Sequence, residues 1–348
     1  MEKARVAGVA TAVPKYKVDQ EMIASLAPSV FGPSFPDFSR LLPIFANTQV
    51  RHRYFAQPIE WFLAPHTFQE SNEVYQKTAF ELACRAAQTV MTETGVMPEQ
   101  VGMILFASTS GIATPSLDSK LIQALGLSRN IPRLPIWGLG CAAGVAGLAR
   151  AAEMASVLRG KYLLFVTVEL CSLTFQLGDL SKANLVATSL FGDGAAALLI
   201  GTETDGPELL GAYSHLWDNS EDIMGWDLVE TGLKVRLSRD LPSLVRNEMP
   251  KLLNAAARAW GISREEIRHF VVHPGGAKVL DAFAKTAGIS ASALKHSYVV
   301  LHEYGNMSSP TVLFVLRHFL DTTPPAGDLG LMLAFGPGFS AEQVLFRW

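Results

Sequence analysis

The sequence predicts an α/β fold made of two related halves, and three observations carry that prediction. Short apolar runs alternate with long amphipathic segments along the whole chain. Two junctions share one form: GLGCAAGVAGLARA and EYGNMSSPTVLFVL both read as strand, glycine, a thiol or small polar residue, then helix. LFASTSG and FVVHPGG are both apolar strands that end in a polar, glycine-bearing loop. Residue identity between the halves is negligible, so the repeat is one of pattern. It places a boundary in ETDGPELLG and divides the chain into residues 1–205 and 206–348.

The elements follow in order. ARVAGVATAVP is a first strand. SNEVYQKTAFELACRAAQTVMTETG is a long helix, with Ser71 or Asn72 at its start and Gly95 at its end. VGMILFASTSG is a buried strand, DSKLIQALGL a short helix and RLPIWGLG strand-like. The helix after Cys141 comes next, followed by the buried strands KYLLFVTVEL and GAAALLIGTE. In the second half PSLVRNEMPKLLNAAARAWG is a helix, IRHFVVHPGG a strand and AKVLDAFAKTAG a helix. YVVLHEYGNMSSPTVLFVLRHFL runs from strand through a glycine turn into helix. LGLMLAFGPGFSAEQVLFRW closes the chain as two strands around Gly-Pro-Gly. Residues 27–43 and 214–232 lack clear periodicity, and irregular stretches of that length often form lids or tunnel walls.

Composition narrows the function. The 348 residues are 49% apolar and 18% charged, with a formal net charge of −3, and the cations are scattered. Neither a nucleic-acid footprint nor a polybasic membrane patch is present. No apolar run is long enough to span a bilayer, and the opening residues show no signal-peptide pattern. A cytoplasmic location is expected. The three cysteines, Cys84, Cys141 and Cys171, have no metal-ligand spacing and fit reduced thiols.

Three residues carry the chemistry when read together. Taken singly, each has an ordinary explanation: Cys141 as a small core residue, His273 as a satisfied core or surface histidine, Asn306 as a turn or cap residue. Each, however, sits beside glycine at a junction between elements. A thiol in the first turn of a helix faces unpaired N–H groups, which favour the thiolate, and the small residues that follow leave room for a substrate. Pro274 keeps His273 out of a helix and at a strand end. A thiolate, a base and a carboxamide donor are the parts that acyl transfer through a thioester needs. Cys84 lies mid-helix, and Cys171 follows a buried strand where it packs or lines a cavity.

GCAAG, SLFGDGAAALLIG, HPGG, YGNMSSPTVLFVL and FGPG, in this order and over nearly the whole chain, resemble the chalcone-synthase-like type III polyketide synthases of the thiolase superfamily. The bacterial alkylpyrone and alkylresorcinol synthases are the nearest in look. The resemblance implies a five-layer αβαβα thiolase-like fold, a homodimer, and a catalytic triad of Cys141, His273 and Asn306. It implies coenzyme A thioesters as substrates, with no cofactor, metal or acyl-carrier protein. Phe191 matches the gatekeeper phenylalanine; Thr174, Ser308 and Gly276 match substrate-lining positions. Val235 falls where plant members carry a second gatekeeper phenylalanine, and Thr114 where they push a methionine across the dimer interface. Ala334 replaces a plant glycine. The plant cationic cluster for the coenzyme A phosphates is only partly matched: Arg40 is kept, and Arg51, His52 and Arg53 lie nearby, with the one that meets phosphate left open. These departures turn the reading from a cinnamoyl starter to a medium or long fatty acyl one, extended with malonyl-CoA and released as an alkylpyrone or resorcinol. A ketoacyl-synthase-III-like condensing enzyme is the nearest alternative, although HPGG stands where that class has an HQAN-like motif. A non-catalytic partner subunit is the alternative from another class.

Overall fold

A computed structural model describes residues 3–35 and 37–348. Residues 1–2 of the opening stretch and Pro36 of the segment without periodicity lie outside them. The first half runs β1 (Arg5–Ala12), β2 (Tyr16–Asp19), α1 (Gln20–Phe31), α2 (Pro43–Asn47), β3 (His52–Phe55), α3 (Phe68–Thr94), β4 (Val101–Ala107), α4 (Asp118–Ala124), β5 (Arg133–Ile136), α5 (Ala143–Ala155), β6 (Tyr162–Leu170), α6 (Lys182–Leu190) and β7 (Asp193–Gly201). The second runs β8 (Glu208–Leu216), β9 (Met224–Val229), β10 (Gly232–Leu237), α7 (Leu241–Trp260), β11 (Ile267–Val272), α8 (Ala277–Ala287), α9 (Lys295–Tyr304), α10 (Thr311–Thr322), β12 (Leu329–Gly336) and β13 (Ser340–Arg347).

The main strands lie in the order β11-β12-β13-β8-β1-β7-β6-β4-β5. The row is two half-sheets joined at one point: β1 meets β8 only at Arg5 and Glu208, beside the bonds Leu209 N to Ala4 O and Val6 N to Pro207 O. Strand alternation then builds five layers. On β6, Leu164, Val166, Val168 and Leu170 face an outer core with α3, while Leu163 and Phe165 face a middle core. On β12, Met332 and Ala334 face the same middle core, and Leu331 and Leu333 an outer one with α7 and α8. The middle core is filled by α5 and α10. The result is helix, sheet, helix pair, sheet, helix, the fold expected from the resemblance.

Three local readings change. The long helix starts earlier than expected: Thr67, not Ser71 or Asn72, caps α3 in a reciprocal box with Glu70, and Gly95 ends it in the left-handed conformation. YVVLHEY is the helix α9 rather than a strand. Its buried residues Ser297, Val300 and Leu301 recur at helical spacing, and this overrides the β-branched pair Val299–Val300. The segments without periodicity are largely regular. α1 covers Gln20–Phe31 with Pro28 inside it, and β9 and β10 form a hairpin.

Candidate active site

Cys141 lies in a short helical turn, Gly140–Ala142, that leads into α5. The small residues after it serve the packing between layers rather than substrate access. A Cβ at Gly144 would stand 2.3 Å from the Ser309 carbonyl oxygen, and one at Gly147 2.2 Å from the Phe165 ring. A Cβ at Gly336 would come within 2.5 Å of the Ala142 methyl. Ala142, Ala143 and Gly144 are all buried, so α5 lies directly on β6, β12 and the start of α10. The neighbouring Ser308 and Asn306 side chains favour a thiolate, but burial dominates and pushes the thiol pKa up to about 11. The lowering expected from the helix start is therefore outweighed by burial.

β11 delivers His273 at its end, where its N–H continues the ladder to Leu333 O at 2.8 Å. Gly275 N bonds back to His273 O at 2.9 Å and closes the turn. Both ring nitrogens are buried and have no partner among the described residues. Burial drives the imidazole pKa down to about 3. An imidazole held in this way is a neutral donor and acceptor aimed at a ligand.

Asn306 is fixed by its own loop. Its Oδ1 accepts from Ser308 N at 2.8 Å, which turns Nδ2 towards the thiol and towards Gly275 O at 3.4 Å. Ser308 has a φ of 60°, uncommon for a residue with a side chain, and the Thr311 hydroxyl bridges Ser308 O and Met307 N to hold it there. The backbone of Asn306 pairs with the strand end beside Phe191, through Asn306 N to Leu190 O and Gly192 N to Asn306 O, each at 2.9 Å.

Behind these three residues is a carboxylate with no signal of its own in the sequence. Glu169, at the end of β6, accepts from Thr109 N, Ser110 N and the Ser309 hydroxyl at 2.8–3.0 Å. Thr109 Oγ1 accepts in turn from Gly140 N at 3.3 Å. Glu169 thus ties the loop before Cys141 to the loop after Asn306. Burial lifts its pKa to about 7.

A cavity of about 360 Å³ brings Cys141, His273 and Asn306 together with Phe191, Gly276, Leu190 and Phe335. Phe191 also lines a narrow slot of about 70 Å³ that holds Thr174, Val235 and Cys171. The slot's far wall is apolar: Ile23, Leu26, Val30 and Phe31 of α1, with Phe62 and Leu63. Ser308 acts from behind the thiol. Thr114 is exposed and lines neither space within its own chain. The basic residues expected at coenzyme A phosphates do not line the cavity. Arg40 is exposed and paired with Asp37 at 2.6 Å; Arg51 is exposed. His52 is buried against Glu303 at 3.0 Å. Arg53 is wholly buried, its guanidinium bonded to backbone carbonyls, so no phosphate reaches it. The cations lining the cavity are instead Lys182, Arg239 and Lys278, all exposed. Sequence reading missed them because they come from three segments far apart in the chain. Among the described residues, no cluster of three or more His, Cys, Asp or Glu is placed to hold a metal ion. No helix among them is long and apolar enough to cross a membrane.

A five-layer α/β fold with a buried cysteine, histidine and asparagine around one cavity defines a condensing enzyme of the acyltransferase type. The particular family follows from comparison. The N-terminal domain of the chalcone and stilbene synthases matches residues 57–204, and the C-terminal domain of the same family matches residues 208–348. A Bacillus subtilis (strain 168) protein named for chalcone synthase is 40% identical, across 99% of this chain and 98% of its own. The 1,3,6,8-tetrahydroxynaphthalene synthase of Streptomyces peucetius subsp. caesius is 33% identical, across 99% and 93%. The crystal structure of the Streptomyces coelicolor A3(2) enzyme of that name, a bacterial type III polyketide synthase, superposes with a TM-score of 0.94 at 30% identity, across 99% of both chains. The chain belongs to the chalcone and stilbene synthase family and is a type III polyketide synthase. The family needs no cofactor beyond its coenzyme A substrates.

Proposed function

We propose that the enzyme loads a medium or long fatty acyl group from coenzyme A onto Cys141, extends it with malonyl-CoA, and releases a cyclised alkylpyrone or resorcinol. His273 takes the proton from Sγ as the thiol attacks the acyl thioester and returns it to the departing sulfur, so that coenzyme A leaves as the free thiol. Malonyl-CoA then places its thioester carbonyl against His273 and the Asn306 Nδ2. As carbon dioxide departs, negative charge grows on that oxygen, where fixed donors count most. The enolate carbon attacks the Cys141 thioester, and the thiolate leaves. Lys182, Arg239 and Lys278 meet the coenzyme A phosphates at the cavity mouth. The active form is a homodimer in the cytoplasm, with Thr114 facing the partner's site, and residues 1–205 and 206–348 are its two halves.

The observation that carries the starter class is the apolar slot behind Phe191. Val235 leaves that passage wider than a phenylalanine would, and α1 supplies a wall of aliphatic side chains. A second reading has an observation of its own: the Streptomyces relative is named for a tetrahydroxynaphthalene product, which has no alkyl tail. Incubation of the pure enzyme with malonyl-CoA, with and without a ladder of fatty acyl-CoA starters, separates the two. Alkylated products are expected, and a tail-free aromatic product from malonyl-CoA alone, unaffected by the starters, overturns the fatty acyl reading. Two substitutions test the roles. Cys141→Ala is expected to gain no acyl mass from acyl-CoA. Asn306→Ala is expected to lose decarboxylation by about a hundredfold or more, the scale seen when an oxyanion donor is removed, while acylation of Cys141 is largely kept.

A further inference from the structure

We propose that Arg53 is a positioning residue for the condensation reaction, setting the places of Phe191 and Asn306 from a fully buried seat outside the cavity. This rests on the function proposed above. The carbonyls at the C-terminal end of α6 show why. A helix leaves its last carbonyls without partners, and here each from Thr188 to Phe191 is taken by a specific donor. Arg53 Nη1 donates to Thr188 O and to Phe191 O, both at 2.7 Å. Gln20 Nε2 donates to Ser189 O at 2.8 Å. Asn306 N donates to Leu190 O at 2.9 Å. Arg53 Nη2 in turn grips Gln20 Oε1 at 2.8 Å, so one guanidinium organises the whole end. Its positive charge also suits a helix C-terminus.

The Arg53 stem is built in as tightly as its head. It passes between Gly192 and Gly305, the glycines next to Phe191 and Asn306. A Cβ on Gly192 would stand 3.3 Å from the arginine Cβ, and one on Gly305 2.8 Å from its Cδ. The same two Cβ atoms would stand 2.7 Å from Tyr304 O and from Leu190 O, so the glycines admit both the close backbone pairing of these segments and the arginine that lies against it. Asp193, one residue beyond Gly192, is the buried counter-charge. It accepts from Ala56 N, Ser172 N and the Ser172 hydroxyl. Cys141 lies on another segment and is held by Glu169 through Thr109. The fork's bonds thus fall on the segments of Phe191 and Asn306, and none falls on the loop before Cys141. Lysine, with one compact ammonium, cannot hold two carbonyls and a carboxamide in a fixed plane.

The test uses the full chain with Arg53→Lys and Gln20→Leu, the latter removing one partner of the fork and leaving its charge. Melting temperature, the rate of Cys141 acylation by a fatty acyl-CoA, and kcat and KM for malonyl-CoA decarboxylation are read for each. For Arg53→Lys, acylation should stay within about twofold, while decarboxylation kcat falls about tenfold or more with KM little changed. Product chain lengths should shift as Phe191 loses its anchor. Gln20→Leu should move each value in the same direction by less, and it decides the matter if Arg53→Lys does not fold. Equal loss of both half-reactions in a folded variant, or loss of neither, overturns the proposal. A wild-type enzyme that neither acylates nor decarboxylates overturns the underlying function instead.

Discussion

Cys141 and His273 occupy surroundings that resist charge on either one. Burial is the largest influence on both, pushing the thiol up to about 11 and the imidazole down to about 3. In the proposed reaction the proton passes from Sγ to His273, so that each new charge is the counter-charge of the other. The consequence is measurable. Iodoacetamide labelling of Cys141, followed by peptide mass, should proceed near neutral pH in the wild type. In His273→Ala it should rise only at alkaline pH, because burial then acts unopposed; an unchanged profile would remove His273 from the proton transfer. These residues were legible in the sequence because Cys141 follows a glycine, and His273 precedes Pro-Gly-Gly, at junctions between elements. Arg53 was misread for a physical reason. An arginine in the run Arg51-His52-Arg53 looks like a phosphate ligand, and only the fold shows that its head meets carbonyls. Glu169 left no sequence signal, since an acidic residue ending an apolar strand is ordinary until the loops around it are in place.

At the scale of elements, α5 illustrates how closely the layers approach. Gly147 lies against Phe165, and a methyl there would sit 2.2 Å from the ring. Gly147→Ala should destabilise the protein by about 1–3 kcal/mol through overpacking, read as a lower urea midpoint; an unchanged midpoint would mean the layers can part at low cost. The same contacts explain why GCAAG was only half legible. The small residues were visible, but their reason lies in Ser309, Phe165 and Gly336, far along the chain. α9 was misread because YVVLHEY has strand-like composition, whereas its burial recurs every three to four residues. The order of strands and helices was otherwise readable, since buried strands and amphipathic helices have different periods.

At the scale of the molecule, Glu169 links the two halves through Ser309, and its titration bears on stability. Its folded pKa, near 7, lies above the ordinary 4.5. The stability it contributes is then fully present below about 4.5 and is lost as pH rises through about 7. His273, depressed to about 3, pushes the other way up to about pH 6.5, so the effect of Glu169 is read as a difference. From pH 5 to pH 8 the wild-type urea midpoint should lose ground to that of Glu169→Gln, which is neutral throughout, and a constant gap between the two would place the effect elsewhere. The proposed dimer is tested on exposed apolar residues near Thr114. Ile112, two residues from Thr114, is 42% exposed, and Trp137, at the end of the edge strand β5, is 58% exposed. Trp137→Glu should yield a monomer in analytical ultracentrifugation, and a dimer that persists would place the interface on another surface.

The joint between the half-sheets is a single strand contact, yet the middle core takes side chains from both halves. Neither half can close its own interior. Expressed alone, either would expose one face of a central helix and collect into aggregates rather than fold. Recombination between relatives therefore cannot trade halves as cassettes. It can trade single side chains, and those that line the cavity come from α6, α7 and α8 as well as from the loops of Cys141, His273 and Asn306. A scaffold that forbids exchange of its large parts leaves its chemistry free to change by small ones.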